Sequence, residues 1–135
     1  MAPPLQGLMQ RHPLDVGMVL RRAATVHGQK QVISVEPGGA HHQTWADTAD
    51  RVGRLGNALR SLGVNPGDRV GSFAWNTHRH LELYYAVPMS GAVLTTLNIR
   101  LHPSDVAWVA NHAGTEIVFV DAGLTETFAA VRRDL

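Results

Sequence analysis

The stretch NTHRHLELYYAVPMSGAVLTTLNIRLHP, residues 76–103, decides the fold of this chain. Its first half has a helical pattern up to Pro88, whose missing backbone N–H leaves the Tyr84 carbonyl without its usual partner. We therefore predict that the helix, which starts near residue 80, kinks or ends at Pro88. A short turn follows, and residues 92–97 are apolar and predict a strand. The stretch thus predicts a helix that delivers the chain into a sheet.

Two further apolar strands are predicted on either side of this stretch, at residues 69–75 and 116–120. Segments of helical pattern separate the strands, and one of them begins at Pro103 and ends at Gly114, which suit a first helical position and a helix stop. Such alternation is typical of parallel strands joined by crossover helices. The predicted fold class is α/β, with a mostly parallel βαβαβ sheet, and the chain ends in a further helical segment after Gly123.

The sequence before this sheet predicts a helix, a β-hairpin and a second helix. Apolar residues recur at helical spacing over 16–26, and two alternating runs flank a turn at residues 37–39. Thr44 and Asp47 have the spacing of a capping box, and Gly63 is placed to end the second helix. We therefore expect a helix and a hairpin to precede the sheet, the whole being part of a larger domain.

Composition narrows the possible functions. The chain has 135 residues and a formal net charge of +1 from charges spread along it, which does not favour nucleic-acid binding. Cysteine is absent, which excludes a disulfide framework and a cysteine nucleophile. No apolar run is long enough for a membrane span, so a cytoplasmic location is the default expectation. Residues 1–12 are Pro-rich and form a predicted loose lead-in, and residues 13–135 form the predicted domain.

The glycines and the acidic residues do not form a recognisable binding or catalytic motif. No phosphate-binding glycine motif occurs, and Gly53 and Gly56 fall inside the second helix, where small residues most simply permit close packing. Asp47, Asp50 and Glu82 are better explained as helix caps or solvated residues than as a catalytic pair. Neither set predicts an active site.

Histidines and aromatic residues are also best explained structurally. The spacing of His78 and His80 does not place both rings on one helix face, so we expect exposed side chains near a helix start rather than a metal site. The serines lack a nucleophile motif, and no histidine can be assigned to them as a base. The large aromatic residues are expected to fill the core: Trp45, Trp75, Trp108, Tyr84 and Tyr85.

Residues 98–101 are the best candidate binding segment. They follow the carboxyl end of a predicted parallel strand, which is where open α/β sheets commonly bind ligands. Arg100 could face a phosphate or a carboxylate ligand, or it could pair with a neighbouring carboxylate such as Asp105. The sequence leaves both alternatives open.

Two long segments together resemble the N-terminal part of the AMP-forming acyl-CoA synthetases. They are TWADTADRVGRLGNALRSLGVNPGDRVGSFAWN, residues 44–76, and RHLELYYAVPMSGAVLTTLNIRLHPSDVAWVANHAGTEIVFVD, residues 79–121. The second segment looks most like the bacterial medium- and long-chain fatty-acid branch of the family. The resemblance extends over about residues 13–135.

The resemblance implies that the complete enzyme joins a fatty acid, ATP and CoA to give acyl-CoA, AMP and pyrophosphate through an acyl adenylate, with Mg²⁺ as the metal. The family segments that carry this chemistry have no counterpart here, so no catalytic residue is assigned and the chain is expected to be inactive alone. The resemblance places Asn98, Ile99 and Arg100 near bound CoA. Two alternatives are a truncated remnant that associates with itself or with a full-length relative, and an independent small domain that binds a nucleotide or CoA.

Overall fold

The computed structural model describes Gly7 and residues 13–135. The predicted lead-in, residues 1–12, lies outside the described residues except for Gly7. The helices are α1 (Val16–Val26), α2 (Trp45–Ser61), α3 (His78–Met89), α4 (Pro103–Ala113) and α5 (Thr125–Val131). The strands are β1 (Gln31–Glu36), β2 (Gly39–Thr44), β3 (Arg69–Phe73), β4 (Val93–Thr96) and β5 (Ile117–Val120).

The main sheet has the strand order β4-β3-β5, and β3 is parallel to both neighbours. In its register, Val70 pairs with Leu94 on one side and Ile117 on the other. Strands β1 and β2 form a separate antiparallel hairpin. The predicted α/β class, the parallel sheet and the preceding helix and hairpin are all confirmed.

Apolar cores cover both faces of the sheet. Val70 and Phe119 belong to a core with residues of α1, α2 and α3, whereas Phe73 and Val120 belong to a second core with α4 and α5. Side chains alternate between the faces of a strand, so β3 and β5 each contribute to both cores. Helices α3 and α5 therefore lie on opposite faces of the sheet although they follow the neighbouring strands β3 and β5.

Helix α2 has the caps that its sequence predicts. The N–H of Thr44 donates to Oδ2 of Asp47 at 2.9 Å, and the N–H of Asp47 donates to Oγ1 of Thr44 at 3.1 Å. At the other end Gly63 adopts φ +86°, and the N–H of Val64 donates to the carbonyl of Leu59 at 3.0 Å. These contacts are those of a capping box and a Schellman ending.

Helix α3 begins at His78, slightly before the predicted start, and ends at Met89. Pro88 therefore lies in the last turn, and the prediction that the helix ends at this proline is confirmed to within one residue. The segment after Gly123 is less regular than predicted. There, α5 is flanked by two short 3₁₀ turns, Ala122–Leu124 and Arg132–Asp134.

The close-packing explanation of Gly53 and Gly56 is wrong. A Cβ atom added at either position would meet no atom within 4 Å. Gly53 is exposed and Gly56 is partly exposed, so tertiary contacts do not require their small size.

The aromatic residues only partly fill the core. Trp45 and Tyr85 pack against the first core with their rings edge to face, 6.4 Å apart. The core prediction is wrong for the other three side chains, which are about half exposed or more: Trp75 at 48%, Tyr84 at 45% and Trp108 at 64%. Trp108 stacks instead on His112 on the outer side of α4.

Candidate ligand site at the carboxyl edge of the sheet

The ends of β3 and β4 open into a shared cleft. The strands are parallel neighbours, so the segments that follow them, residues 74–76 and 97–100, emerge at the same edge. The N–H of Leu97 donates to the carbonyl of Ser72 at 2.8 Å, which continues the strand pairing just beyond β4. The two segments line a cavity of about 310 Å³. Residues 98–100 of the predicted segment therefore line a cleft.

Each residue of the predicted loop has a different position in this cleft. The Oδ1 atom of Asn98 accepts a hydrogen bond from the N–H of Arg100 at 2.9 Å, which holds the loop in a tight turn. Ile99 packs against the second apolar core and anchors the loop. Arg100 is exposed at the rim. Of the three residues, Arg100 is the one that offers a positive charge to a ligand.

The alternative pairing of Arg100 with Asp105 is not formed. Among residues 13–135, the ion pairs do not include Arg100, and Asp105 lies in the first turn of α4. The guanidinium therefore remains free to contact an anion in the cleft, such as a phosphate or a carboxylate.

His80 lies between this cleft and the sheet, and the sequence prediction that it is exposed is wrong. Only 5% of the residue is exposed, and its Nε2 atom lies 2.9 Å from the Oγ atom of Ser72. Burial lowers the pKa of His80, and the nearby backbone of Trp75 acts in the opposite direction. The ring is therefore neutral at neutral pH. No local sequence pattern revealed this pair, because Ser72 and His80 meet only when α3 packs on β3.

The Ser72 and His80 pair does not have the properties of a nucleophile and its base. Ser72 is completely buried, so its hydroxyl cannot reach a substrate. The hydrogen bond instead satisfies two polar groups that the fold has removed from water. We therefore assign a structural role to the pair.

A larger cavity of about 570 Å³ opens at the ends of β3 and β5, and Glu82 lines it. The expectation that Glu82 is a solvated residue or a cap is wrong, because it is only 4% exposed. Its carboxylate accepts hydrogen bonds from Arg51 at 2.6 and 3.1 Å and from Gln43 at 3.2 Å. These partners compensate the buried charge, so the group is part of the framework of the domain.

Within residues 13–135, no three histidine, aspartate or glutamate side chains cluster in a way that could hold a metal ion. None of the helices there is long and apolar enough to cross a membrane.

The fold and the cleft define part of an open α/β domain of the kind that binds ligands where parallel strands end. Residues 20–134 match the sequence model of the AMP-binding enzyme family. The chain therefore belongs to the AMP-binding enzyme family.

Curated relatives and solved structures agree with this assignment. The chain is 41% identical over 130 residues to the 3-methylmercaptopropionyl-CoA ligase of Ruegeria lacuscaerulensis, covering 96% of this chain and 24% of that protein. It is 41% identical over 128 residues to the long-chain-fatty-acid–CoA ligase of Thermus thermophilus, covering 94% and 24%. The N-terminal domain of FACL13 from Mycobacterium tuberculosis superposes with a TM-score of 0.76 at 29% identity, covering 87% of this chain and 29% of that structure.

The chain thus spans about a quarter of the length of the curated relatives it matches. The resemblance to acyl-CoA synthetases and to their N-terminal part is confirmed.

Proposed function

We propose that this chain is the N-terminal part of a cytoplasmic fatty-acid CoA ligase. The complete enzyme would convert a fatty acid, ATP and CoA into acyl-CoA, AMP and pyrophosphate through an acyl adenylate, with Mg²⁺ bound to the nucleotide. The family match over residues 20–134 carries this proposal, together with the parallel sheet that superposes on an N-terminal domain of the family. In this proposal residues 13–135 are an incomplete domain that supplies framework and one wall of a ligand cleft.

The loop of Asn98, Ile99 and Arg100 is the part of this chain that we assign to CoA. Asn98 shapes the turn, Ile99 anchors it, and Arg100 extends an unpaired guanidinium at the rim of the cleft. Guanidinium groups bind phosphate through strong charge-assisted hydrogen bonds, and CoA carries several phosphate groups. This chemistry supports a contact between Arg100 and the nucleotide end of CoA.

Pyrophosphate release tests the proposed activity. The purified chain, incubated with ATP, Mg²⁺, CoA and fatty acids of increasing length, should release no pyrophosphate above background. A chimera of the Thermus ligase in which this chain replaces the matching quarter should release pyrophosphate and form acyl-CoA. The chimera is first shown to be folded and monodisperse, with the unaltered Thermus ligase as the positive control.

Two results would overturn the proposal. Robust release by the chain alone would mean that its own residues carry the chemistry. A folded chimera that forms no acyl adenylate with any fatty acid would mean that this segment does not serve a fatty-acid CoA ligase.

The open edges of the sheet favour a second candidate, a remnant that associates with itself or with a full-length relative. Strands β4 and β5 are the outer strands of the described sheet, and Val93 at the start of β4 is 52% exposed. Unpaired strand edges readily accept another strand. Light scattering over a concentration series distinguishes the candidates, because a remnant of this kind should show a molar mass that rises with concentration.

A further inference from the structure

The hairpin β1–β2 is attached to the rest of the domain mainly by polar contacts. None of its described residues belongs to either apolar core. An isolated two-stranded hairpin is at best marginally stable in water. Its position against α2 and α3 therefore depends on the polar groups that join them.

His78 is at the centre of these contacts. It is the first residue of α3, and only 2% of it is exposed. Its backbone N–H donates to Oγ of Ser34 on β1 at 2.6 Å. Its ring stacks on that of His41 on β2, with the ring centres 3.8 Å apart, and its Nδ1 atom lies 3.1 Å from Oε1 of Glu36 on β1. One buried ring thus contacts both strands.

The surroundings disfavour a proton on this ring. Burial is the main cause that lowers the pKa of His78, followed by the charges of His41 and Arg79, while Glu82 and Glu36 act in the opposite direction. The ring also lies at a helix N-terminus, where the helix dipole disfavours a cation. Each element packed near His78 carries charged or titratable groups. They are Glu36 on β1, His41 on β2, Arg51 on α2, and Arg79 and Glu82 on α3. Arg51 is paired with Glu82.

We propose that Glu36, His41 and His78 form an acid-sensitive latch, which holds the hairpin against α3 while the His78 ring is neutral and releases it when that ring gains a proton. The stack would place a proton on His78 directly against a second basic ring, in a site that burial has removed from water. A cleft of about 250 Å³ already separates β1 from the start of α3, so water can reach a released ring. The latch concerns attachment of the hairpin and does not depend on the proposed ligase activity.

The direction of the pH effect follows from proton binding. In the latched state the pKa of His78 is lowered, whereas in the released state the ring has its ordinary affinity for a proton. The contribution of the latch is therefore fully present above the ordinary histidine pKa of about 6.5 and is lost as the pH falls below it.

Hydrogen exchange of the full chain tests this latch. Mass spectrometry gives the opening constant of the β1 and β2 amides after correction for the intrinsic exchange rate. The latched state excludes one proton that the released state binds. When the pH is lowered from about 7.5 to about 5.5, the opening constant should therefore rise by up to about tenfold. His78→Gln should abolish the rise, whereas the control His112→Gln, at an exposed site on α4, should retain it.

Other outcomes decide against the latch. Wild-type hairpin protection that does not change with pH would overturn it, and so would an equal rise in the α4 amides, which would indicate global unfolding. If His78→Gln does not fold, His41→Gln provides the test, because removal of the stacked basic ring should reduce the rise. An undiminished rise in that variant would contradict the proposal.

Discussion

Arg51 on α2 and Glu82 on α3 form an ion pair with two hydrogen bonds, in which Nε lies 2.6 Å from Oε1 and a terminal guanidinium nitrogen lies 3.1 Å from Oε2. The Glu82 side chain is 6% exposed and the Arg51 side chain 39% exposed. Gln43 of β2 also donates to Glu82, so one buried carboxylate joins two helices and the hairpin. Removal of either partner leaves polar groups unsatisfied inside the domain.

We expect Arg51→Ala to lower the free energy of unfolding by about 2 kcal/mol, since it leaves a buried carboxylate without its cation. Arg54→Ala is the matched control in the same helix, because its pair with Asp50 is 67% and 68% exposed. Exposed pairs of this kind contribute less than about 1 kcal/mol. Denaturant unfolding followed by circular dichroism measures both changes, and equal effects of the two substitutions would contradict the importance of burial.

Gly53→Ala and Gly56→Ala should each stabilise the domain by about 0.5–1 kcal/mol, because alanine favours the helix and the added methyl group meets no atom. Gly63→Ala is the control of opposite sign. There too the space is open, but φ is +86°, which a residue with a Cβ atom rarely adopts. Thermal unfolding should show two increases and one decrease in Tm. A loss of stability in both helix variants would show that the space beside Gly53 and Gly56 is not free in solution.

The cap of α2 should make stability fall at acid pH. Hydrogen bonds from the hydroxyl of Thr44, and then from its backbone N–H, lower the pKa of Asp47 below its usual range. The stabilising contribution is therefore present at neutral pH and is lost as the pH falls through this lowered value. Asp47→Asn should lack this part of the acid dependence, as measured by Tm between about pH 6 and about pH 3. Asp50→Asn serves as the control, since Asp50 is an exposed residue of the same helix that forms no cap.

Arg100→Ala should raise the KM for CoA about tenfold in the folded Thermus chimera, because a charge-assisted hydrogen bond to phosphate contributes about 1.5–3 kcal/mol. Pyrophosphate release measured without CoA should not change, since we assign the adenylation chemistry to other parts of the enzyme. Arg22→Ala is the control, because Arg22 is an exposed arginine of α1, far from the cleft in sequence. An unchanged KM for CoA would remove Arg100 from the proposed site.

Features that depend on neighbouring residues were predictable from sequence. The capping box of Thr44 and Asp47, the positive φ of Gly63 and the helix start at Pro103 follow from local backbone geometry and hydrogen bonding. The alternation of strands and helices also predicted the parallel sheet, because a parallel connection requires a crossover. The position of the loop at Arg100 was predictable for the same reason, since the loop directly follows a strand.

The burial of polar side chains was not predictable, because it depends on which residues meet across the fold. The sequence predicts exposed side chains for His78 and His80, yet packing of α3 against β1 and β3 buries both rings. Glu82 is likewise buried because Arg51 and Gln43 arrive from distant parts of the chain.

The sequence by itself thus determined the order of the elements, their caps and the α/β class, since backbone geometry and hydrophobic periodicity act over a few residues. Only the tertiary structure decided which charges are buried, that Arg100 is unpaired within the described chain, and that His41 stacks on His78. Burial and pairing are properties of contacts between residues far apart in sequence. They arise only when the layers of the domain pack together.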